Sequence, residues 1–178
     1  MRTAIRGIGI VGGFGCGVDK LHRTLISGES TPKTKQVKVN GRKVDMPVFL
    51  CDTTPLKGIL HKRALRRVDH YSSMAVLGSC LALEDAGMLK KEHQKTAVVV
   101  ATGYGATRTT FSFLDSILAD GDTCASPTLF SNSVHNAAAA HVSILLKTSG
   151  PSLTVSQFEL SVPSALLSAY QWLEDRQI

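Results

Sequence analysis

Two short β-branched and apolar runs, Thr96 to Ala101 ("TAVVVA") and Ser152 to Ser156 ("SLTVS"), each end in a turn and lead into a helical pattern. A run without strict polar alternation reads as a strand buried on both faces, which needs a parallel sheet covered by helices. A third run, Thr3 to Val11, enters the glycine-rich turn "GGFGCG" ahead of a short helix over Val18 to Ile26. Strand, helix and strand alternate along the chain. The expected class is therefore α/β with a mainly parallel sheet and helices packed on it.

The remaining segments fill in this frame. From Ser27 to Leu56 periodicity is weak and Pro, Thr, Lys and Gly recur, so a long excursion is expected, with a hairpin pinned by Asn40-Gly41. Between Ala64 and Ala86, Val68, Tyr71, Ala75 and Ala82 fall on one helical face, and Gly87 stops the helix. A helix follows "TGYGATRTT" to about Leu118, a loop covers Asp120 to Pro127, and "LFSNSVHNAAAAHVSILLK" reads as one alanine-rich helix. The last helix runs from Pro163 to Asp175. At 178 residues a single domain, 1–178, is expected.

Composition excludes several classes. No apolar run is long enough to span a bilayer, and Arg2 and Arg6 bracket too few apolar residues for a secretion signal, so a cytoplasmic protein is expected. Cys16, Cys51, Cys80 and Cys124 are widely separated, with no CxxC pair, which points to buried free thiols, without zinc or disulfides. The formal charge of +6 is unevenly spread. Lys57, Lys62, Arg63, Arg66 and Arg67 form one acid-free stretch, and Lys33, Lys35, Lys38, Arg42 and Lys43 another. Each is either a solvated face or a rim that attracts an acidic partner.

Gly7-Ile-Gly9-Ile-Val-Gly12 matches the GxGxxG fingerprint of dinucleotide folds. The first glycines fall inside the expected strand, and the region some twenty residues beyond Gly12 is basic, with no strand ending in a ribose-binding acid. Nucleotide binding is therefore rejected. The chemistry is sought instead in "GPSLTVSQFELSVPSALLSA", a strand, a sharp turn and a small-residue helix. Acyl-transfer enzymes hold nucleophiles on such elbows, beside backbone N–H groups that stabilise an oxyanion. Here the turn offers Gln157, Phe158 and Glu159, with no cysteine and no well-placed serine.

Four segments in order together resemble the amino-terminal half of the β-ketoacyl synthases, the thiolase-fold condensing enzymes of fatty-acid and polyketide synthesis. They are "IRGIGIVGGFGCGVDKLHRTLISGES", "LRRVDHYSSMAVLGSCLALEDAG", "ATGYGATRTT" and "FSNSVHNAAAAHVSILLKTSGPSLTVS". The resemblance implies an incomplete first half of the duplicated thiolase-like fold. In that family the nucleophilic cysteine lies nine residues after the glycine of Gly-Pro, a position held here by Glu159. Condensation needs a thiolate to accept the acyl chain, and a carboxylate would give a short-lived anhydride. At the floor of an apolar acyl tunnel Glu159 would also carry an unpaired-charge penalty.

The family's two catalytic histidines, its lysine and its gating phenylalanine belong to the carboxy-terminal half, beyond Ile178. None of His22, His61, His70, His93, His135 and His141 takes their place. The resemblance also implies that Arg63, Arg66 and Arg67 dock the acidic acyl carrier protein. It places Tyr104 in the acyl-pocket wall, where it would close a tunnel unless it is an ordinary buried tyrosine. The segment from Leu129 through Phe130 to Asn136 would meet another subunit. No cofactor or metal is implied.

Three functions remain open on this reading. One is a catalytically silent, chain-length-factor-like accessory subunit of an active β-ketoacyl synthase in fatty-acid or polyketide synthesis, aryl polyenes included. The second is a decarboxylase or acyltransferase using Glu159, and the third a docking module for acyl carrier protein. The expected partners are an active synthase or a second copy of this chain, and the carrier protein, with neither nucleic acid nor membrane. A sheet ending at this point would expose an apolar edge, which a symmetric dimer would cover.

Overall fold

The computed structural model describes residues 3–28 and 32–175; Met1 and Arg2 at the start, and residues 176–178 at the end, lie outside them. In chain order the elements are β1 (Val11–Gly12), β2 (Gly15–Cys16), α1 (Val18–Ser27), β3 (Lys33–Val39), β4 (Arg42–Val48), α2 (Leu56–Ile59), α3 (Lys62–Leu65) and α4 (His70–Asp85). There follow β5 (Val98–Ala101), α5 (Thr107–Asp120), α6 (Pro127–Ser133), α7 (Ala137–Leu146), β6 (Ser152–Val155) and α8 (Ser161–Glu174).

The core forms where α4 crosses α7. Val76, Leu77 and Cys80 of α4 are fully buried against Ala139 and Val142 of α7, with Leu56 and Val98 closing the cluster. Alanines at 137 to 139 leave no side chain long enough to hold the two helices apart. Beside them β5 and β6 pair in parallel, Val98 opposite Ser152 through Ala101 opposite Val155. The expected parallel pairing is present, but among the described residues the parallel sheet has these two strands alone.

The first expected strand does not form as read. Residues 3–10 pair with no strand, and only Val11–Gly12 joins a small antiparallel turn with Gly15–Cys16. The segment lies instead along α4, where Gly7 and Gly9 face the carbonyls of Ala82 and Gly78 so closely that a Cβ at either would collide. Ile8 N–H donates to Asp85 Oδ2 at 2.9 Å. The glycines that imitated a nucleotide fingerprint are thus packing positions.

Two helix readings are also revised. The long helix does not begin at Ala64: the chain makes the one-turn α3, breaks, and restarts at His70, because Asp69 accepts a hydrogen bond from Ser72 N at 3.0 Å and caps α4. Its end is as expected, with Gly87 left-handed (φ 65) and Gly87 N and Met88 N donating to Glu84 O and Leu83 O. The alanine-rich helix divides into α6 and α7, with Val134 extended between them. The Asn40-Gly41 hairpin forms as read, both turn residues having positive φ (48 and 79).

Candidate functional site

The elbow is built by three groups around one buried serine. Between β6 and α8 the chain makes a tight turn over Phe158–Leu160. Ser161, only 2% exposed, accepts from Gln157 N–H at 2.8 Å, and its Oγ lies 2.8 Å from Phe158 O and 2.9 Å from Thr102 O. A hydroxyl has one proton, so it serves one of those two carbonyls at a time. Either way it fastens the turn to the end of β5. Ser164 Oγ adds a bond of 2.7 Å to Gln157 Oε1.

These ties hold Phe158 at φ 49, a left-handed conformation that a bulky side chain adopts only under constraint. Its ring meets Tyr104 edge-on, with centroids 5.6 Å apart and planes at 69°. Both rings are open to solvent, Tyr104 at 75% and Phe158 at 63%, so Tyr104 is not the buried tyrosine that was one of its two readings. Glu159 is exposed. In this chain by itself the Glu159 carboxylate is thus open to solvent.

No thiol substitutes at the elbow. Cys80 lies inside α4 with its thiol pushed up to about 11 by burial, chiefly, and by Glu84. Burial also raises Cys16 and Cys51, with carboxylate Asp52 adding to it. Cys124 is exposed in the turn after α5. Among the described residues no group of three or more His, Cys, Asp or Glu side chains is placed to hold a metal ion.

The arginines form a second region. Arg63, Arg66 and Arg67 are all exposed on α3 and the break after it, where His61 Nδ1 caps α3 by accepting from Arg63 N at 3.2 Å. Arg66 and Arg67 line a cavity of about 570 Å³ with Arg108, Leu129 and Asn132. Arg66 and Arg63 line a neighbouring cavity of about 550 Å³ with Lys57 and Lys62. Sequence reading missed Arg108; its only signal was a cation just after a glycine-rich turn.

Buried polar groups hold this region in place. Asn132, 5% exposed, donates to Arg67 O at 2.8 Å, and its Oδ1 lies 2.8 Å from His141 Nε2. Since the Asn132 nitrogen is occupied as a donor, His141 is assigned the proton on Nε2. Burial lowers the His141 pKa from 6.5, against the opposing pull of Asp69. Asp69 Oδ2 accepts from Thr109 Oγ1 at 2.9 Å and so joins the start of α4 to α5.

The remaining candidates are distributed between the regions. Leu129 is half-buried in the arginine-lined cavity. Phe130 is exposed at 57% and tilts against Phe113 at 5.4 Å. Asn136 is exposed at the start of α7, and the ring of its neighbour His135 lies over Gly105, where a Cβ would touch it. The turn Tyr104-Gly105 is thus the meeting point of the elbow and the α6–α7 connection. Beyond it, α8 leaves Val162, Leu166, Leu167 and Tyr170 exposed.

Comparison with known proteins places the fold. The ishigamide ketosynthase/chain length factor superposes with a TM-score of 0.76 at 20% identity, over 97% of this chain and 49% of that one. A type II PKS ketosynthase, solved as AntDE:AntF with its acyl-carrier protein, gives 0.72 at 15% over 97% and 46%. A β-ketoacyl synthase from Burkholderia phymatum STM815 gives 0.70 at 20% over 96% and 43%. The chain therefore spans about half the length of these structures and shares their fold. A search of the curated proteins finds no match. Residues 65–177 match the family described as beta-ketoacyl synthase, N-terminal domain, and the chain belongs to that family.

Proposed function

We propose that this chain is a catalytically incomplete, chain-length-factor-like accessory subunit that binds an active β-ketoacyl synthase in fatty-acid or polyketide biosynthesis. The observation that supports this reading is the elbow, where Phe158 is strained, Ser161 fastens the turn, and an exposed carboxylate, Glu159, stands where the family resemblance puts the nucleophile. A carboxylate cannot form an acyl thioester, and the buried thiol of Cys80 is pushed up to about 11 and so is not activated. Similarity to a ketosynthase/chain length factor supports the same assignment.

In this reading Tyr104 and Phe158 contribute to a tunnel wall shared with the partner, and Leu129, Phe130 and Asn136 lie at the subunit interface. Arg63, Arg66 and Arg67 attract the acidic acyl carrier protein, and the subunit works in the cytoplasm. A neighbour solved with its acyl-carrier protein supports the carrier assignment. Among the described residues no helix is long and apolar enough to cross a membrane. The direct test is turnover: the purified chain, given an acyl primer and malonyl carrier protein, should release no condensation product. Product formation by the chain alone would overturn the proposal.

A further inference from the structure

The β3–β4 ribbon belongs to neither region of the site. Its register places Lys33, Lys35, Val37 and Val39 on one face, opposite Val48, Met46, Val44 and Arg42. The other face carries Thr34, Gln36 and Lys38 opposite Pro47, Asp45 and Lys43, with Gln36 Nε2 donating to Asp45 Oδ1 at 3.3 Å. The first face is thus an aliphatic stripe bordered by three cations. Val39, Val44 and Met46 on it are exposed at 48%, 42% and 45%, and neither strand packs substantially against any other described element. A two-stranded ribbon bare on both faces is marginal in water by itself.

Charge and chemistry select what covers it. The ribbon carries five cations against one carboxylate, on a chain whose formal charge is +6, so a second copy laid on it would set like charges opposite one another. A single-stranded nucleic acid would need aromatic side chains to stack on, and the stripe is wholly aliphatic. A bilayer interior cannot satisfy the N–H and C=O groups on the two free edges of the ribbon. A protein surface can do so, by pairing an edge or by seating the stripe in a groove rimmed with carboxylates.

We infer that the Val37–Val39–Val44–Met46–Val48 face of the ribbon, with Lys33, Lys35 and Arg42 at its border, is a docking surface for an acidic protein subunit, separate from the arginine cluster. The identification of that subunit with an active synthase rests on the function proposed above.

The test uses the full chain co-expressed with the ketosynthase encoded nearest its gene, and compares Val44→Glu/Met46→Glu with Val44→Ile/Met46→Leu. Both side chains are solvent-exposed, so an unchanged circular-dichroism melt is expected and certifies the fold. The glutamate pair should weaken the complex by about tenfold or more, through loss of the apolar contact and repulsion from the partner's carboxylates, while the conservative pair leaves it intact. Equal binding by both variants overturns this inference and leaves the proposed function standing. Absence of any complex with the wild-type chain overturns both. Binding to a 30-base-pair DNA duplex or to phosphatidylglycerol vesicles that the glutamate pair abolishes, with the synthase complex unaffected, overturns the assignment to a protein.

Discussion

Ser161→Ala tests whether one buried hydroxyl maintains the elbow. The substitution removes an acceptor from Gln157 N–H and a donor shared between Thr102 O and Phe158 O, at a site with 2% exposure where water cannot replace either. Two net hydrogen bonds at about 1 kcal/mol each, with a desolvated N–H left behind, give a loss of about 2 to 3 kcal/mol. For a chain of this size that corresponds to a fall in melting temperature of roughly 4 to 12 °C. Urea denaturation followed by circular dichroism measures the loss, and amide exchange at Gln157 and Phe158 localises it. Ser164→Ala, which loses one exposed bond to Gln157, should cost under about 1 kcal/mol. A Ser161→Ala loss no larger than that of Ser164→Ala would refute the reasoning.

Other consequences follow from the same geometry. Asn132→Ala strands Arg67 O and His141 Nε2 in a buried setting and should cost about 1 to 3 kcal/mol, read by the same denaturation. His141 has a folded pKa below 6.5, so the unfolded chain binds more protons; its contribution is full above pH 6.5 and is lost as pH falls below it. His141→Gln should flatten that part of the stability-against-pH curve, and an unaltered slope would contradict the assignment. Gly9→Ala sets a methyl against Gly78 O and should destabilise by about 1 to 3 kcal/mol or detach the segment from α4, seen as proteolysis near Arg6. Iodoacetamide should modify Cys124 first and leave Cys80 untouched until the chain unfolds; modification of native Cys80 would contradict its burial.

How far the sequence announces this structure differs from element to element. Asn40-Gly41 and Gly87 were legible because their conformations are set locally by positive φ. The parallel pairing of Val98–Ala101 with Ser152–Val155 was legible because both runs are β-branched, and turn residues follow each. The strand expected over Thr3 to Val11 was not: its composition suits a sheet, but Gly7 and Gly9 let it lie on α4, and that choice depends on residues more than sixty positions away. The break before α4 was hidden because Leu65 and Val68 continue the helical period, while the cap that restarts the helix comes from Asp69.

The site divides the same way. Glu159 and the arginines stand out by position along the chain and by the charge of the side chain itself; their roles belong to the function proposed above. Ser161, Asn132 and His141 were missed because their roles lie in what they bond across the fold, to Thr102, Arg67 and one another. A serine two residues beyond Glu159 gives no signal of its own until β5 is placed against it.

The central claim, that the chain serves as a silent partner of a synthase, is tested most directly by the solution mass of the chain co-purified with the ketosynthase encoded nearest its gene. The account predicts a stoichiometric heterodimer containing one copy of each. A chain recovered only as a folded homodimer, with the synthase excluded, would contradict it.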